Sequence, residues 1–476
     1  MSINIHVNAS LAVATAGSAT ANFGTMLGVF EHSVTANRQD GPFSSISAVE
    51  AAGFTVAAAP DVHAWASAAF AQNPRTSQVM IGRRATGESV SEAMSAIEAV
   101  APASWYLTTM GSNTANDILA LAAWTESRSK IALVQSSDAS LLAGTASEQQ
   151  VSTFTVGAAS TDGVYSIEAI NAWTGASIGT ASFTASGDDD DAIATGLRAA
   201  WDAVAELEAI SAAAAGTGAD VEITFDGLGN GYTFVLTSPG DILTESTPAF
   251  VQNVGELGAA LGYNRTAVVY HDSDAEYLAG AWASRCLSAN LDAPDGAIIW
   301  AYHRLSGVTA TRLTDAQKAE ALEYPVNYYA PVTYTSGVEE PGFTWPGRML
   351  SGRYIDTQTT IDLTQARLEE AILLAFLQAS STNRKVPMSD DGIQLLAGGA
   401  LAVLDKLVIA KHYLEDGLSE ITNRRAPYID APLLSGLSVT QRYWRQVTLS
   451  GEAVFASAVQ SVGDAATVGL SIVLSF

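Results

Sequence analysis

The sequence predicts a multidomain α+β and α/β protein. It has a mixed sheet core with flanking helices, an inserted β-rich module and a C-terminal α+β domain. Three observations predict it. Strand-like and helix-like runs alternate over residues 21–147 and again over 247–345, the pattern of a largely parallel sheet covered by helices. Between them, residues 148–246 carry Thr-rich runs of alternating polarity. From residue 346 onward, long helical patterns lead into β-like segments. The 476 residues supply enough chain for about two to four such units.

In chain order, residues 1–20 open with Ile3, Ile5 and Val7 alternating with Asn4 and His6, a strand signal. With no hairpin partner beside it, this strand is either an edge of its own sheet or an arm that adds to a neighbour's. Residues 22–31 read as a buried strand. A capped short helix follows after Phe43, a second helix from Asp61 ends near Asn73-Pro74, and Gln78–Arg84 is a strand. Ser91–Val100 and Asn113–Ser127 are helical, while Trp105–Thr109 and Lys130–Ser136 are strands.

The five runs at 152–156, 164–170, 179–185, 221–225 and 232–236 are strand-like, with one helix over Ala192–Ala205 crossing between them. The alternating pattern resumes at Thr266–His271. A helix over Asp274–Asn290 follows, then a strand over Ala297–Tyr302, a capped helix from Thr314, and a strand from Asn327. In the last segment, Tyr354 and Ile355 favour a short strand, Asp356–Thr360 a turn and cap, and residues from Ile361 a helix. Gly392 to about Leu414 is a second long helix. Thr467–Phe476 alternates polar and apolar residues up to Phe476, a strand that must be paired or covered.

Formal net charge is -26, from 49 acidic and 23 basic residues. This disfavours a sequence-independent nucleic-acid binder, which needs Lys and Arg to displace counterions, and docking on an anionic membrane. Only 15% of residues are charged, so much of the surface is small and neutral and suits subunit contact. The single cysteine, Cys286, lies among apolar residues at a helical position and reads as a buried small hydrophobe in a reducing compartment. The N-terminus has no secretory pattern, and no apolar run reads as long enough to span a bilayer.

Several motifs stand in order along the chain. The first comprises Phe70, Gln72, Pro74, Ile81, Gly82 and Arg83. The second comprises Leu305, Gly307, Val308, Ala310, Leu313, Thr314 and Gln317, followed by Asn327-Tyr-Tyr. The third is Gly352-Arg-Tyr-Ile-Asp and the fourth Lys385-Val-Pro-Met-Ser-Asp-Asp-Gly-Ile. In kind and order they resemble the contractile tail sheath proteins of bacteriophages and related injection machines, over roughly residues 20–145 and 250–476. The resemblance implies a virion structural protein, made in the host cytoplasm, that forms a helical stack of hexameric rings around an inner tail tube protein. Contraction of the stack drives the tube through the host envelope for genome ejection. It implies baseplate and tail-terminator partners, with no cofactor, catalytic site or metal, no direct nucleic-acid contact and no membrane insertion. Strand exchange between subunits would use Ile3, Ile5 and Val7 with Val468, Leu470, Ile472, Leu474 and Phe476. Lys406 and Lys411, cations in an acidic chain, are the candidate tube contacts, though they also suit an ordinary helix C-terminus.

A search for chemistry finds less. There is no phosphate loop and no His-Glu-x-x-His, and Gly227–Gly231 has hairpin rather than dinucleotide spacing. Asp188–Asp191 invites a calcium reading, but it lacks the spaced ligands of an EF-hand loop, and carboxylates suit the start of the helix that follows. The alternative function is a hydrolase-like α/β enzyme using His271 and the acids after it, at a strand end where α/β sheets place sites. The competing reading of His271 is a turn residue before an acidic helix start.

Overall fold

The computed structural model describes residues 5–10, 22–158, 161–332, 342–381, 384–418, 423–444, 447–456 and 469–475. It begins with β1 (Ile5–Ser10), β2 (Thr25–Glu31) and β3 (Gln39–Phe43), then α1 (Ile46–Ala51), α2 (Pro60–Phe70) and β4 (Gln78–Arg84). Next come α3 (Val90–Val100), β5 (Leu107–Met110), α4 (Ala115–Glu126), β6 (Ile131–Ser136) and α5 (Ser140–Ala143). With β13 (Thr266–Tyr270), β14 (Val326–Ala330) and β15 (Phe343–Trp345), these strands build an eight-stranded sheet in the order β15-β14-β13-β6-β5-β2-β4-β3. All pairs are parallel except the two at the edges, β14–β15 and β3–β4.

Helices cover both faces, so the inner strands read as continuous apolar runs instead of alternating ones. On one face α1, α2 and α9 (Leu278–Leu287) set Val49, Trp65 and Trp282 against Met26, Ile81 and Val269. On the other, α3, α4, α8 (Val254–Ala260) and α10 (Asp315–Glu323) set Met94, Leu121, Leu257 and Ala321 against Leu27, Val134 and Val268. Gly28 in β2 is needed for this packing, because a Cβ there would meet the Trp65 indole at 2.6 Å.

Residues 151–246 add β7 (Val151–Val156), β8 (Gly163–Asn171), β9 (Ser177–Ala185), α6 (Asp190–Asp202), α7 (Ala205–Glu208), β10 (Asp220–Thr224), β11 (Tyr232–Thr237) and β12 (Leu243–Ser246). They form two antiparallel sheets, β10-β7-β12 and β11-β8-β9. Between the sheets and α6 lies a core that includes Phe154, Ile167, Leu197, Trp201 and Phe225. This part sits on α4 through Asn116, whose Oδ1 accepts from Trp173 Nε1 (3.1 Å) and Gln252 Nε2 (2.8 Å).

The remaining chain holds α11 (Ile355–Ser381), α12 (Asp390–Ile409), the short strands β16 (Gly417–Leu418) and β17 (Arg425–Ala426), β18 (Tyr428–Asp430), α13 (Val439–Trp444), β19 (Thr448–Val454) and β20 (Gly469–Ser475). Here the structure corrects three expectations. Tyr354 makes only an isolated bridge to Arg348, and the helix starts at Ile355, running through Asp356–Thr360. Tertiary packing overrides the β preference of these residues. Ala297–Tyr302 is not a strand. The Trp300 carbonyl takes hydrogen bonds from Trp282 Nε1 (2.9 Å) and Thr344 Oγ1 (3.0 Å), while the Ala297 and Tyr302 amides donate to the carbonyls of Ala410 and Thr344, so no continuous ladder forms. Finally, α12 is long and apolar enough to cross a membrane by length and composition, unlike the reading from sequence. Its Leu396, Ala400 and Leu404 are buried in a core shared with Leu363, Leu368 and Ile372 of α11.

The start of α12 explains one motif. Ser389 caps the helix by accepting from the Gly392 amide, and a Cβ at Gly392 would collide with the Pro387 carbonyl oxygen. Gly392→Ala is therefore expected to destabilise the protein by about 1–3 kcal/mol, the usual cost of forcing extra atoms into a packed site. Urea denaturation of the two proteins checks this, and unchanged midpoints would refute the contact.

Candidate assembly interface

The two ends of the described chain meet in one sheet of order β1-β20-β19-β18. β20 is an inner strand. It pairs antiparallel with β19, from Thr448↔Ser475 to Val454↔Gly469, and parallel with β1, from Ile5↔Leu470 to Ser10↔Ser475. The period-two pattern at both ends explains why both segments are strands. Alternation alone cannot choose a partner, and the sequence therefore left the pairing open. β1 also runs alongside α11. Ile5 stands opposite Leu470 and Val7 opposite Ile472, while Leu474 stands opposite Leu449 of β19 and Ala9 of β1. Ile3, Val468 and Phe476 lie outside the described residues.

Leu449 and Ala453 of β19 join the buried core of α11 and α12. The sheet is thus anchored at β19, and β20 and β1 are attached to it in succession. Main-chain ladders, which carry no sequence identity of their own, hold these two strands to it.

The two candidate cations separate. Lys406, exposed in the last turn of α12, borders a groove of about 600 Å³ with Leu374 and Ile409, which Asp292, Arg367 and Glu370 also line. Lys411, also exposed, follows the helix in a left-handed conformation (φ 68°). It borders a different cavity, of about 260 Å³, with Asp356, Trp300 and His412. His412 is buried between Thr360 Oγ1 (2.9 Å from Nδ1) and the Leu291 carbonyl (3.0 Å from Nε2), and burial holds it below the usual imidazole range.

Asp356 gives this cavity a pH response. Burial pushes its carboxyl up to about 6, against the pull of the Thr357 amide that it accepts from. A raised folded-state value means that the folded protein holds the proton more tightly than the unfolded chain. Stability is then fullest below the unfolded value and falls as pH rises toward 6. Asp356→Asn keeps the acceptor and removes the charge. It is expected to stabilise the protein at pH 7.5 by about 1–3 kcal/mol, with the gain vanishing near pH 4. Denaturation at the two pH values checks this, and an equal gain at both would refute it.

The residues that sequence reasoning missed lie in the first half of α11. Gln358, Thr359, Thr360, Asp362 and Thr364 are all buried there. Asp362 accepts two hydrogen bonds from Arg265 (2.8 and 2.9 Å), one from Tyr106 Oη (2.8 Å) and one from Gln358 Nε2 (3.0 Å). Burial, reinforced by this carboxylate, pushes the Tyr106 hydroxyl well above its ordinary value. Thr364 bonds Tyr413 Oη (2.6 Å). One signal in the sequence could have found this cluster: polar residues stand where a helical apolar stripe should run.

The alternative site fares differently. His271 is fully buried, with Nδ1 accepting from the Ser273 amide (3.1 Å) and Nε2 placed to donate to the Thr309 carbonyl (2.9 Å). Glu276 is already engaged by the Thr309 amide and hydroxyl. A space bordered by Asn113, Gln135 and Asp274 measures about 10 Å³, room for roughly one water. Of the acidic run, Asp189 caps α6 through the Ala192 amide and Asp188 accepts from the Ser186 amide. Among the described residues, no group of three or more His, Cys, Asp or Glu is placed to hold a metal ion. Cys286 is buried, and burial pushes its thiol well up.

No family model matches this chain, and no curated protein matches it. Among solved structures it is similar to the sheath tail protein Lin1278 from Listeria innocua, at 10% identity and a TM-score of 0.36, over 95% of this chain and 94% of that one.

Proposed function

We propose that this chain is a structural subunit of a contractile tail sheath, stacking as hexameric rings around an inner tail tube between a baseplate and a tail terminator. Contraction of the stack drives the tube through the host envelope for genome ejection. The protein works as a virion component and needs no cofactor. The observation that carries this reading is the sheet at the chain ends, where β1 and β20 hang in succession on an anchored β19 through main-chain ladders. Such strands can be supplied by another copy without loss of complementarity, so neighbouring subunits stay tied while their side-chain interfaces repack. Lys406 and Lys411 are the proposed tube contacts, and their exposure supports that role.

The motif residues add support, because they occupy positions that hold the fold. Gln72 donates to the Ser306 carbonyl (2.7 Å) and accepts from its amide (2.9 Å), which joins the first motif to the second. Thr314 and Gln317 form the capping box of α10. Buried Asn327 donates to the carbonyls of Val268 (2.9 Å) and Arg348 (2.7 Å), and accepts from the amides of Gly347 and Arg348. Electron microscopy of the purified chain at rising concentration tests the proposal. Ring stacks or hollow tubes are expected. A dispersed monomer at every concentration would overturn it.

A further inference from the structure

Three spaces border α11. The cavity of about 260 Å³ lies between its first turns and Ala297–Trp300. The groove of about 600 Å³ runs beside Arg367 and Leu374. A third space, of about 320 Å³, separates Asp362 and Glu369 from Trp105 and Lys130 at the lower end of the large sheet. All three lie along one seam, with the eight-stranded sheet and its 291–300 connection on one side. On the other stand α12 and the sheet at the chain ends.

Across this seam Leu291, Phe23 and Ile298 pack on the α11–α12 core, and polar links stand beside them. Asp362 holds Arg265 and Tyr106. His412 holds the Leu291 carbonyl, and Arg367 pairs with Asp292 at 2.6 Å. The amides of Asp295 and Ala297 donate to the carbonyls of Ile409 (3.1 Å) and Ala410 (2.9 Å). The difference from the sheet's two faces, packed with Trp, Leu, Ile and Val, is the run of spaces beside α11. A close-packed apolar interface resists displacement, because any gap forfeits its dispersion contacts. A seam with spaces on several sides has fewer such contacts to forfeit, and its polar links can exchange their bonds with water as it opens.

We infer that the seam is a pivot: α12 and the sheet β1-β20-β19-β18 move as one body against the eight-stranded sheet, turning on the first three turns of α11. The motion belongs to a single copy. It rests on the proposed function only for its use, which is to let the tethering sheet change direction while the large sheet keeps its lattice contacts.

The test is single-molecule energy transfer on the full chain at nanomolar dilution, where copies are isolated. Val100→Cys and Leu395→Cys place dyes on exposed positions on either side of the seam, 60% and 55% accessible, and buried Cys286 escapes labelling. Leu395→Cys with Ile409→Cys, both on α12, is the rigid control. Two interconverting distances are expected for the first pair and one for the control. Asp362→Asn should shift the ratio of the two distances about tenfold or more, because it weakens the strongest link. If that variant does not fold, Arg367→Ala cuts the outer link to Asp292 and should shift the ratio in the same direction. A single distance as narrow as the control's, in the parent and in whichever variant folds, overturns the pivot. Because assembly is absent at this dilution, that result leaves the sheath reading untouched.

Discussion

Replacing Asp362 by alanine is expected to destabilise the protein by about 3–5 kcal/mol, the range for removing one partner from a buried ion pair. Three groups lose their partner at once. Arg265 keeps its charge in a largely enclosed site, with its two bonds to the carboxylate gone. The Tyr106 hydroxyl and the Gln358 amide each lose an acceptor. Asp362→Asn keeps an acceptor but not the charge, so it should fall between the parent and the alanine variant. A buried pair is poorly screened, so the loss should change little between low and high salt, unlike that of an exposed bridge such as Arg424–Asp430. Urea denaturation at two salt concentrations measures both points. A loss below about 1 kcal/mol, or one that disappears in salt, would mean that the clamp is not a buried pair in solution.

Removing residues 467–476 is expected to abolish assembly without unfolding the large sheet. The deletion takes away β20, the shared neighbour of β1 and β19. A ladder bond contributes about 0.5–1.5 kcal/mol net, so several lost together amount to several kcal/mol. At 1.4 kcal/mol per tenfold, the concentration needed for assembly rises about a thousandfold or more. The buried strands of the eight-stranded sheet contain no residue of this segment, so circular dichroism and the main unfolding transition should survive. Sedimentation across a concentration series decides the matter. Tubes formed equally well by the truncated chain would eliminate β20 as the tether.

Much of the fold was legible because its strands are buried on both faces. Ile131–Ser136 and Thr266–Tyr270 are short, apolar and bounded by turn residues, which leaves few alternatives. Helix starts were legible where a cap was read, as after Phe43 and at Thr314. What failed has a common cause. Tyr354-Ile355 and Ala297–Tyr302 favour strands locally but lie at the seam, where groups remote in the chain, such as the Ala410 and Thr344 carbonyls and the Trp282 indole, take up part of their backbone bonding. Of the candidate site, the sequence showed that both ends are strands. It could not show that they are neighbours, since a parallel pair has no turn between its members to betray the register. The Asp362 cluster was hidden for a related reason, because its partners Tyr106 and Arg265 are remote in the chain.

The position of β20 also sets an order of events during synthesis. Both of its neighbours, β1 and β19, precede it in the chain, so the ribosome delivers the middle of this sheet after its flanks. Until β20 emerges, β1 has no ladder to join, and the large sheet, all of whose strands lie earlier, can already have formed. Closure of this sheet, and with it any tethering of copies through these strands, is thereby deferred until residues 469–475 have left the ribosome.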